Sequence, residues 1–587
     1  MRDFQRPGRS SVHGINGMAA TSQPLATITA LDVLKAGGNA VDAAVAACAV
    51  LGVVEPQSTG IGGDCFVLYA PKGRVPPIAM NGSGRAPQAA TVERLRELGL
   101  SEIGFQSPHA VTVPGAVDAW SQLLDDHGSK NFAELLQPAI RFAEDGYAVS
   151  PRVAMDWAAN AEKLSDCPAA KRIFMPGGQT PEVGDLHRQP ELANSLKAIA
   201  KEGRDAFYNG IIGEDIVSHL RSLGSLMTEQ DFAQYRAQYV EPIKTDYRGH
   251  EIFECPPNGQ GIIALIMLNI LQGYDLAALD PNGAERLHLE AEAARLAYRD
   301  RAALIADPDA VQVPSAHLLS PVYADGLRAH ISPDRAMANL PVPGETEHRD
   351  TVYLTVVDDE RNAISFINSI FHAFGSGICA PKSGIILQNR GSSFVLDSSH
   401  PNHIAPGKRP MHTIIPGMLG EGGRAVMPFG VMGGNYQATG HVHFLTNFID
   451  YGMDPQAALD APRAFHFENE LSLENGLSKV TARALIEMGH QVKAADVVLS
   501  HERDQLVVRL AVAAGIRGTK GRKEELANLL VDRHPTQRLR HPALGLAVEH
   551  RYSLTRGHHE HASRDDRAGH HADEPRPWHR RLERRLA

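Results

Sequence analysis

Apolar positions along the chain switch between a helical rhythm and a strand rhythm. Residues 24 to 35 carry the helical one and stop at Gly37-Gly38, a pair that ends helices. A second helix, from about Ala40 to Leu51, is almost entirely small and apolar, which predicts a helix packed on both sides. Gly60-Ile61-Gly62-Gly63-Asp64 then makes a tight turn into a strand, Cys65 to Tyr69. Its helix–turn–strand order and the lack of a Gly-Lys-Ser/Thr ending argue against a phosphate loop. Such glycines predict instead a close approach of this backbone to a neighbouring element or a reactive centre. Residues 88 to 250 read as mainly helical, with loops at 172–187 and Thr228 as a helix cap. A strand at Glu251–Glu254 leads through Cys255-Pro256-Pro257-Asn258-Gly259-Gln260-Gly261 into an apolar helix at Ile262, and Ala284 to Arg301 is another helix.

The stretch from His348 to Gly377 organises the second half. Thr351 heads a strand-like run, Val352 to Val357, rich in β-branched and aromatic residues. Asp358 to Asn362 is a polar turn and Ala363 to Ile367 a returning strand. Alternating strand patterns follow, then helices from about Thr439 to Tyr451 and Pro455 to Leu459. A hydroxyl residue at the head of a strand is an ordinary strand start. It has a second chemistry if the Asp350–Thr351 bond is cut: a free α-amine then stands beside the Thr351 hydroxyl, so one residue supplies nucleophile and base.

Composition narrows the classes. A length of 587 residues suggests three or four domains, and 43% hydrophobic content supports a substantial core. A formal net charge of −10 argues against a nucleic-acid partner. The five cysteines, Cys48, Cys65, Cys167, Cys255 and Cys379, have no CxxC or other ligand spacing and fit a reducing compartment. The first residues lack an apolar signal core, and no run approaches the roughly 20 apolar residues of a membrane span. The expectation is a cytoplasmic protein without a membrane partner. Residues 551 to 587 are rich in Arg and His. They read as a disordered extension, as coding sequence out of frame, or as a metal-binding or polybasic tail, but the His spacings follow no ligand pattern and no metal is expected.

Several motifs in order resemble the γ-glutamyltranspeptidase family of self-cleaving N-terminal-nucleophile hydrolases. They are Gly37-Gly38-Asn39-Ala40-Val41-Asp42-Ala43-Ala44-Val45-Ala46, Glu55-Pro56 followed by Gly60–Asp64, Val113-Pro114-Gly115-Ala116-Val117, Gly433-Gly434, and Asp460-Ala461-Pro462-Arg463. The resemblance spans roughly residues 14 to 495. It implies an α+β fold, a four-layer αββα sandwich, made as a proenzyme and cut at Asp350/Thr351 into two subunits that stay together as a heterodimer, with further oligomerisation open. Residues 1–350 would be the large-subunit portion, 351–500 the small catalytic portion and 501–587 an atypical extension, since the family's terminal hairpin motif is missing after Ser500. Residues 331 to 349, Pro-rich and polar, would move away after cleavage.

By the same resemblance Thr351 is the nucleophile, Gly433 and Gly434 supply oxyanion-hole amides, and Ser369 contacts the nucleophile's amine, with Asn368 in the same network. The acyl-enzyme would be resolved by water or an amine, and no cofactor is implied. The substrate positions depart from the family. His412-Thr413 replace a double serine, Phe371 replaces an asparagine, and Arg390 and Ser393 stand where an α-amine would be held. The family's arginine position reads Ser83, with Arg85 two residues away. An arginine at 390 disfavours an ammonium and suits a compact anionic acyl group. This pattern is similar to the divergent branch with oxamate amidohydrolase and acylase-like members. A γ-glutamyl substrate such as glutathione, held by Arg85 with Arg390 salt-bridged away, remains the competing expectation, and a non-catalytic, unprocessed homologue the third.

Overall fold

A computed structural model describes residues 11–338, 351–467 and 469–494; Asp350 and the 501–587 extension lie outside the described residues. Two antiparallel sheets form its centre. The first contains β1 (Gly17–Ala20), β2 (Asp64–Ala70), β3 (Ile78–Gly82), β4 (Gln238–Val240), and the hairpin strands β7 (Val352–Asp358) and β8 (Ala363–Ser369), in the order β1-β7-β8-β2-β3-β4. The second contains β5 (Ile243–Tyr247), β6 (His250–Glu254), β9 (Gly417–Glu421) and β10 (Arg424–Phe429), in the order β10-β9-β6-β5. The sheets face each other, and polar side chains as well as apolar ones cross between them. The Tyr353 hydroxyl meets Ser365 Oγ at 2.8 Å, and Ser365 Oγ donates to the Phe429 carbonyl at 3.1 Å.

Helices close both outer faces, giving the four-layer αββα sandwich. Helix α1 (Ala40–Val54) lies on β7 and β8. Its Ala, Val and Gly side chains let backbones approach closely, and nearly every residue is buried. Asn39 and Asp42 form a reciprocal capping box at its start. Asp358, at the end of β7, accepts from the Ala40 amide at 3.0 Å, so the hairpin turn is tied to the helix. On the other side α2 (Gly261–Leu271) covers the second sheet, α3 (Ala284–Leu304) packs outside it, and α4 (Tyr436–Ile449) meets the sheet through His441 against Phe429 and Glu254. α2 is apolar all round because it is packed all round.

The strands β4 and β5 fall inside the stretch expected to be mainly helical. Each is short, and its pairing with β3 or β6 overrides a weak local preference. Helix α4 starts three residues before Thr439, because the Gly433 and Gly434 carbonyls accept from the Tyr436 and Gln437 amides and add a turn. A small third sheet (Ala464–Phe467, Glu470–Leu473, Gln491–Ala494) is anchored by Arg463, which grips Glu474 with Nε at 3.0 Å and Nη2 at 2.6 Å. All five cysteines are buried, unpaired thiols.

Candidate active site

The β7–β8 hairpin sets the first contact. Its register pairs Val352 with Asn368, which brings the residues on either side of that pair, Thr351 and Ser369, next to each other. Thr351 Oγ1 lies 3.2 Å from Ser369 Oγ, and both residues are buried. Ser369 Oγ also accepts from the Phe371 amide at 2.9 Å. Asn368 points elsewhere, donating to Thr59 Oγ1 and the Gly60 carbonyl.

The glycine turn ahead of β2 is where backbones crowd. A Cβ on Gly63 would sit 2.3 Å from the Ser369 carbonyl oxygen, and one on Gly62 would sit 2.1 Å from that of Ile386. Only glycine allows this contact with the segments that carry Ser369 and the 386–390 strap.

Beside this cluster stands Arg390, fully buried at the start of a short 3-10 turn. Its Nη1 donates to Thr413 Oγ1 at 2.9 Å, and the guanidinium carbon lies 3.7 Å from the centroid of the Phe371 ring, a cation–π contact. Phe371 adopts φ +82°, a left-handed conformation costing a bulky residue about 1–3 kcal/mol. The Nε and Nη2 groups of Arg390 have no hydrogen-bond partner among the described residues. Burial lowers this guanidinium to about 9 while Asp64 pulls it back up, so it stays cationic at neutral pH. Ser393, one turn on, also carries a buried Oγ without a partner among the described residues.

Asp64 and His412 complete the wall. Asp64 Oδ1 accepts from the Gly84 and Gly115 amides and from Gln388 Nε2 at 2.8 Å, and Oδ2 faces His412 Nε2 at 2.9 Å. Burial raises the Asp64 carboxyl to about 7, opposed first by Arg390. Burial and then Arg390 push His412 well below its ordinary value. His412 is therefore a neutral imidazole. Its Nδ1 faces the Ile414 amide at 3.5 Å, which leaves the Nε2 proton to Asp64. The ring cannot donate to a substrate carboxylate as a serine would, because its proton is already committed.

Arg85 is placed differently. Its Nη1 donates to the Gly407 carbonyl and its Nη2 to Asp309, both at 2.9 Å, with Asp307 at 3.7 Å. None of these partners belongs to the Thr351 cluster, and Arg409 shares the same two acids. The acid pair holds Arg85 by charge. This arrangement reverses the one expected for a γ-glutamyl site: Arg85 is the salt-bridged arginine, and Arg390 keeps free donors.

The Gly433–Gly434 turn lies between β10 and α4, with φ of +118° and +51°. Both residues are buried, and neither amide donates a hydrogen bond among the described residues. Gln260 Nε2 donates to the Gly434 carbonyl and to that of Thr413, each at 2.8 Å. Buried amides without acceptors, on a turn braced from behind, suit a charge that develops only during reaction.

Comparison with known proteins identifies the family. The sequence model of the family described as gamma-glutamyltranspeptidase matches residues 26–516. The chain belongs to that family. It is 38% identical over 492 residues to the glutathione hydrolase-like YwrD proenzyme of Bacillus subtilis, covering 82% of this chain and 92% of that one. It is 35% identical to the oxamate amidohydrolase proenzyme of Klebsiella pneumoniae, again covering 82% and 92%. The crystal structure of cephalosporin acylase from Bacillus halodurans matches with a TM-score of 0.79 and 40% identity, over 84% of this chain and 91% of that one. As a member of the γ-glutamyltranspeptidase family the protein is an enzyme, an N-terminal-nucleophile amidohydrolase or acylase.

Sequence reasoning had Asp64 only as part of a glycine motif, and it passed over Gln388. A carboxylate directly after Gly-Gly at a strand head was the available signal for Asp64. Among the described residues one grouping away from this site, His288, Glu292 and His490, has the spacing of metal ligands. Its atoms are already engaged: His288 Nδ1 meets His490 Nε2 at 2.8 Å, and Arg295 and the Met337 amide donate to Glu292.

Proposed function

We propose that the enzyme cleaves itself before Thr351 and hydrolyses the amide of a small anionic acyl group through an acyl-enzyme on Thr351. The observation that carries the substrate class is Arg390: a buried cation with two N–H groups unpartnered, stacked on Phe371. A carboxylate on the acyl group would take those donors in a charge-assisted pair. His412, with its proton held by Asp64, and Phe371, in place of an amide side chain, leave little to hold an α-ammonium. The relative named oxamate amidohydrolase supports this reading.

In the proposed reaction the freed α-amine of Thr351 takes the proton from Oγ1 as Oγ1 bonds to the substrate carbonyl carbon. The resulting oxyanion accepts from the Gly433 and Gly434 amides. Collapse breaks the C–N bond, the leaving nitrogen takes the proton, and water then opens the ester. Ser369 Oγ holds the amine in place. We further place the enzyme in the cytoplasm, a reading supported by its five separate reduced thiols and testable by cell fractionation.

One experiment addresses cleavage and substrate together. Purified wild type is expected to give two fragments split at 350/351 on a denaturing gel, and Thr351→Ala one full-length band. Wild type should hydrolyse oxamate-type amides in preference to glutathione, and Arg390→Ala should remove that preference. Equal losses on both substrates in Arg390→Ala would overturn the proposed substrate class.

A further inference from the structure

Arg301, near the C-terminal end of α3, is 4% exposed and forms no ion pair with any described residue. Its Nη1 donates to Gln260 Oε1 and to Asn435 Oδ1, both at 2.7 Å, and its guanidinium carbon lies 4.7 Å from the Tyr298 ring centroid. Both acceptors are neutral amides. Burial lowers its pKa, with only Tyr298 raising it. The end of α3 offers a partial counter-charge, roughly half an elementary charge spread over its last carbonyls. Among the described residues the remainder of the positive charge is unmatched, and a buried unmatched charge is costly.

What Arg301 touches points to its use. Asn435 follows Gly434 directly, and its carbonyl accepts from the Tyr298 hydroxyl, one helical turn before Arg301. Gln260, held by Arg301 through Oε1, uses its Nε2 to fix the carbonyls of Gly434 and Thr413. One cation thus holds the side chain of Asn435, the residue after Gly434, and the Gln260 amide that braces both the glycine turn and Thr413, the hydrogen-bond partner of Arg390. With Oε1 turned to Arg301, the Gln260 amide can only present its NH2 group to Gly434.

We propose that Arg301 is a positioning residue for the oxyanion turn, whose charge finds its full counter-charge only when the substrate carbonyl becomes an oxyanion. The Gly433 and Gly434 amides then receive the negative charge in a setting already biased positive, at no cost of reorganisation during the reaction. This inference rests on the Thr351 and glycine-turn chemistry above. It does not depend on which acyl group is cleaved.

The test compares Arg301→Met and Arg301→Lys on whichever amides the wild type turns over, including one with an anionic and one with a neutral acyl group. Arg301→Met should lower kcat about 10- to 100-fold, less than the ~10²–10³ of deleting an oxyanion donor outright, by the same factor for every acyl group and with KM unchanged. Arg301→Lys, which keeps the charge, should recover much of kcat; it also serves as the readable variant if the methionine protein does not fold. Unchanged kcat in folded Arg301→Met, a loss confined to KM, or a lysine variant as slow as the methionine one would overturn the proposal. A wild type that ignores anionic amides but hydrolyses others defeats only the substrate reading, and the Arg301 comparison proceeds on those others.

Discussion

Arg286 and Arg390 are both completely buried, and both lie over an aromatic ring, Tyr451 at 4.7 Å and Phe371 at 3.7 Å. Their hydrogen bonding separates them. Arg286 donates to Glu290 at 3.1 Å, to the Pro281 carbonyl at 2.7 Å and to Thr446 at 2.8 Å, so all three of its nitrogens are occupied. Among the described residues Arg390 donates once, to Thr413, and its two other nitrogens are idle. A fully partnered buried charge belongs to the fold. A half-partnered one lowers stability for as long as its ligand is absent, since each idle buried donor costs about 1–3 kcal/mol, and a sequence under selection keeps it for what it binds.

The comparison breaks most sharply on stability. Arg286→Ala leaves the Glu290 carboxylate buried beside His443 without its cation, and the expected loss is about 3–5 kcal/mol in urea unfolding. Arg390→Met removes a charge that, among the described residues, only Thr413, Asp64 and the Phe371 ring compensate, so its unfolding midpoint should stay level or rise. A large loss in Arg390→Met would place that residue with Arg286 as a structural arginine.

A ligand sharpens the contrast next. A small dicarboxylate such as oxalate, at about 100 times its Kd, should stabilise wild type by about 2.7 kcal/mol, read as a rise in Tm. Arg286→Ala should show the same increment from its lower baseline, and Arg390→Met none. An equal shift in Arg390→Met would mean that the anion binds elsewhere.

Much of this contrast follows from distances along the chain. The hairpin that joins Thr351 to Ser369 was legible because it is local: the β-branched run, the polar turn and the return strand fix the register within about twenty residues. Helix α1 was legible because its small-residue pattern has one structural use. Arg85 and Arg390 looked interchangeable because their partners are remote. The acids that hold Arg85 are Asp307 and Asp309, more than 200 positions away, and no local pattern links them to it. Arg301 entered the sequence reading only as the last residue of a helix, and the Gln260 link to Gly434 spans 174 positions. Sequence pattern reported which residues could react; the burial and pairing that select among them are tertiary.

The subtlest expected difference is in pH dependence, where the two arginines face carboxyls shifted in opposite directions. Burial tends to raise Glu290, but Arg286 and then His443 override it and bring it from 4.5 to about 2. A carboxyl lowered by folding contributes stability above its unfolded pKa and loses it as pH falls through the folded value, so Glu290 shapes an acid limb between about pH 4.5 and 2. Asp64 runs the other way. Burial carries it from 3.8 to about 7, so it favours the folded state fully below pH 3.8 and withdraws that contribution as pH rises through about 7. Asp64→Asn should therefore flatten the decline in Tm between about pH 3.8 and 7 while leaving the acid limb in place. Arg390→Met, by removing the cation that holds the Asp64 carboxyl down, should move that decline to higher pH. Superimposable profiles for wild type and both variants would show that Asp64 is ionised throughout this range and that the N–H donors from Gly84, Gly115 and Gln388 outweigh its burial.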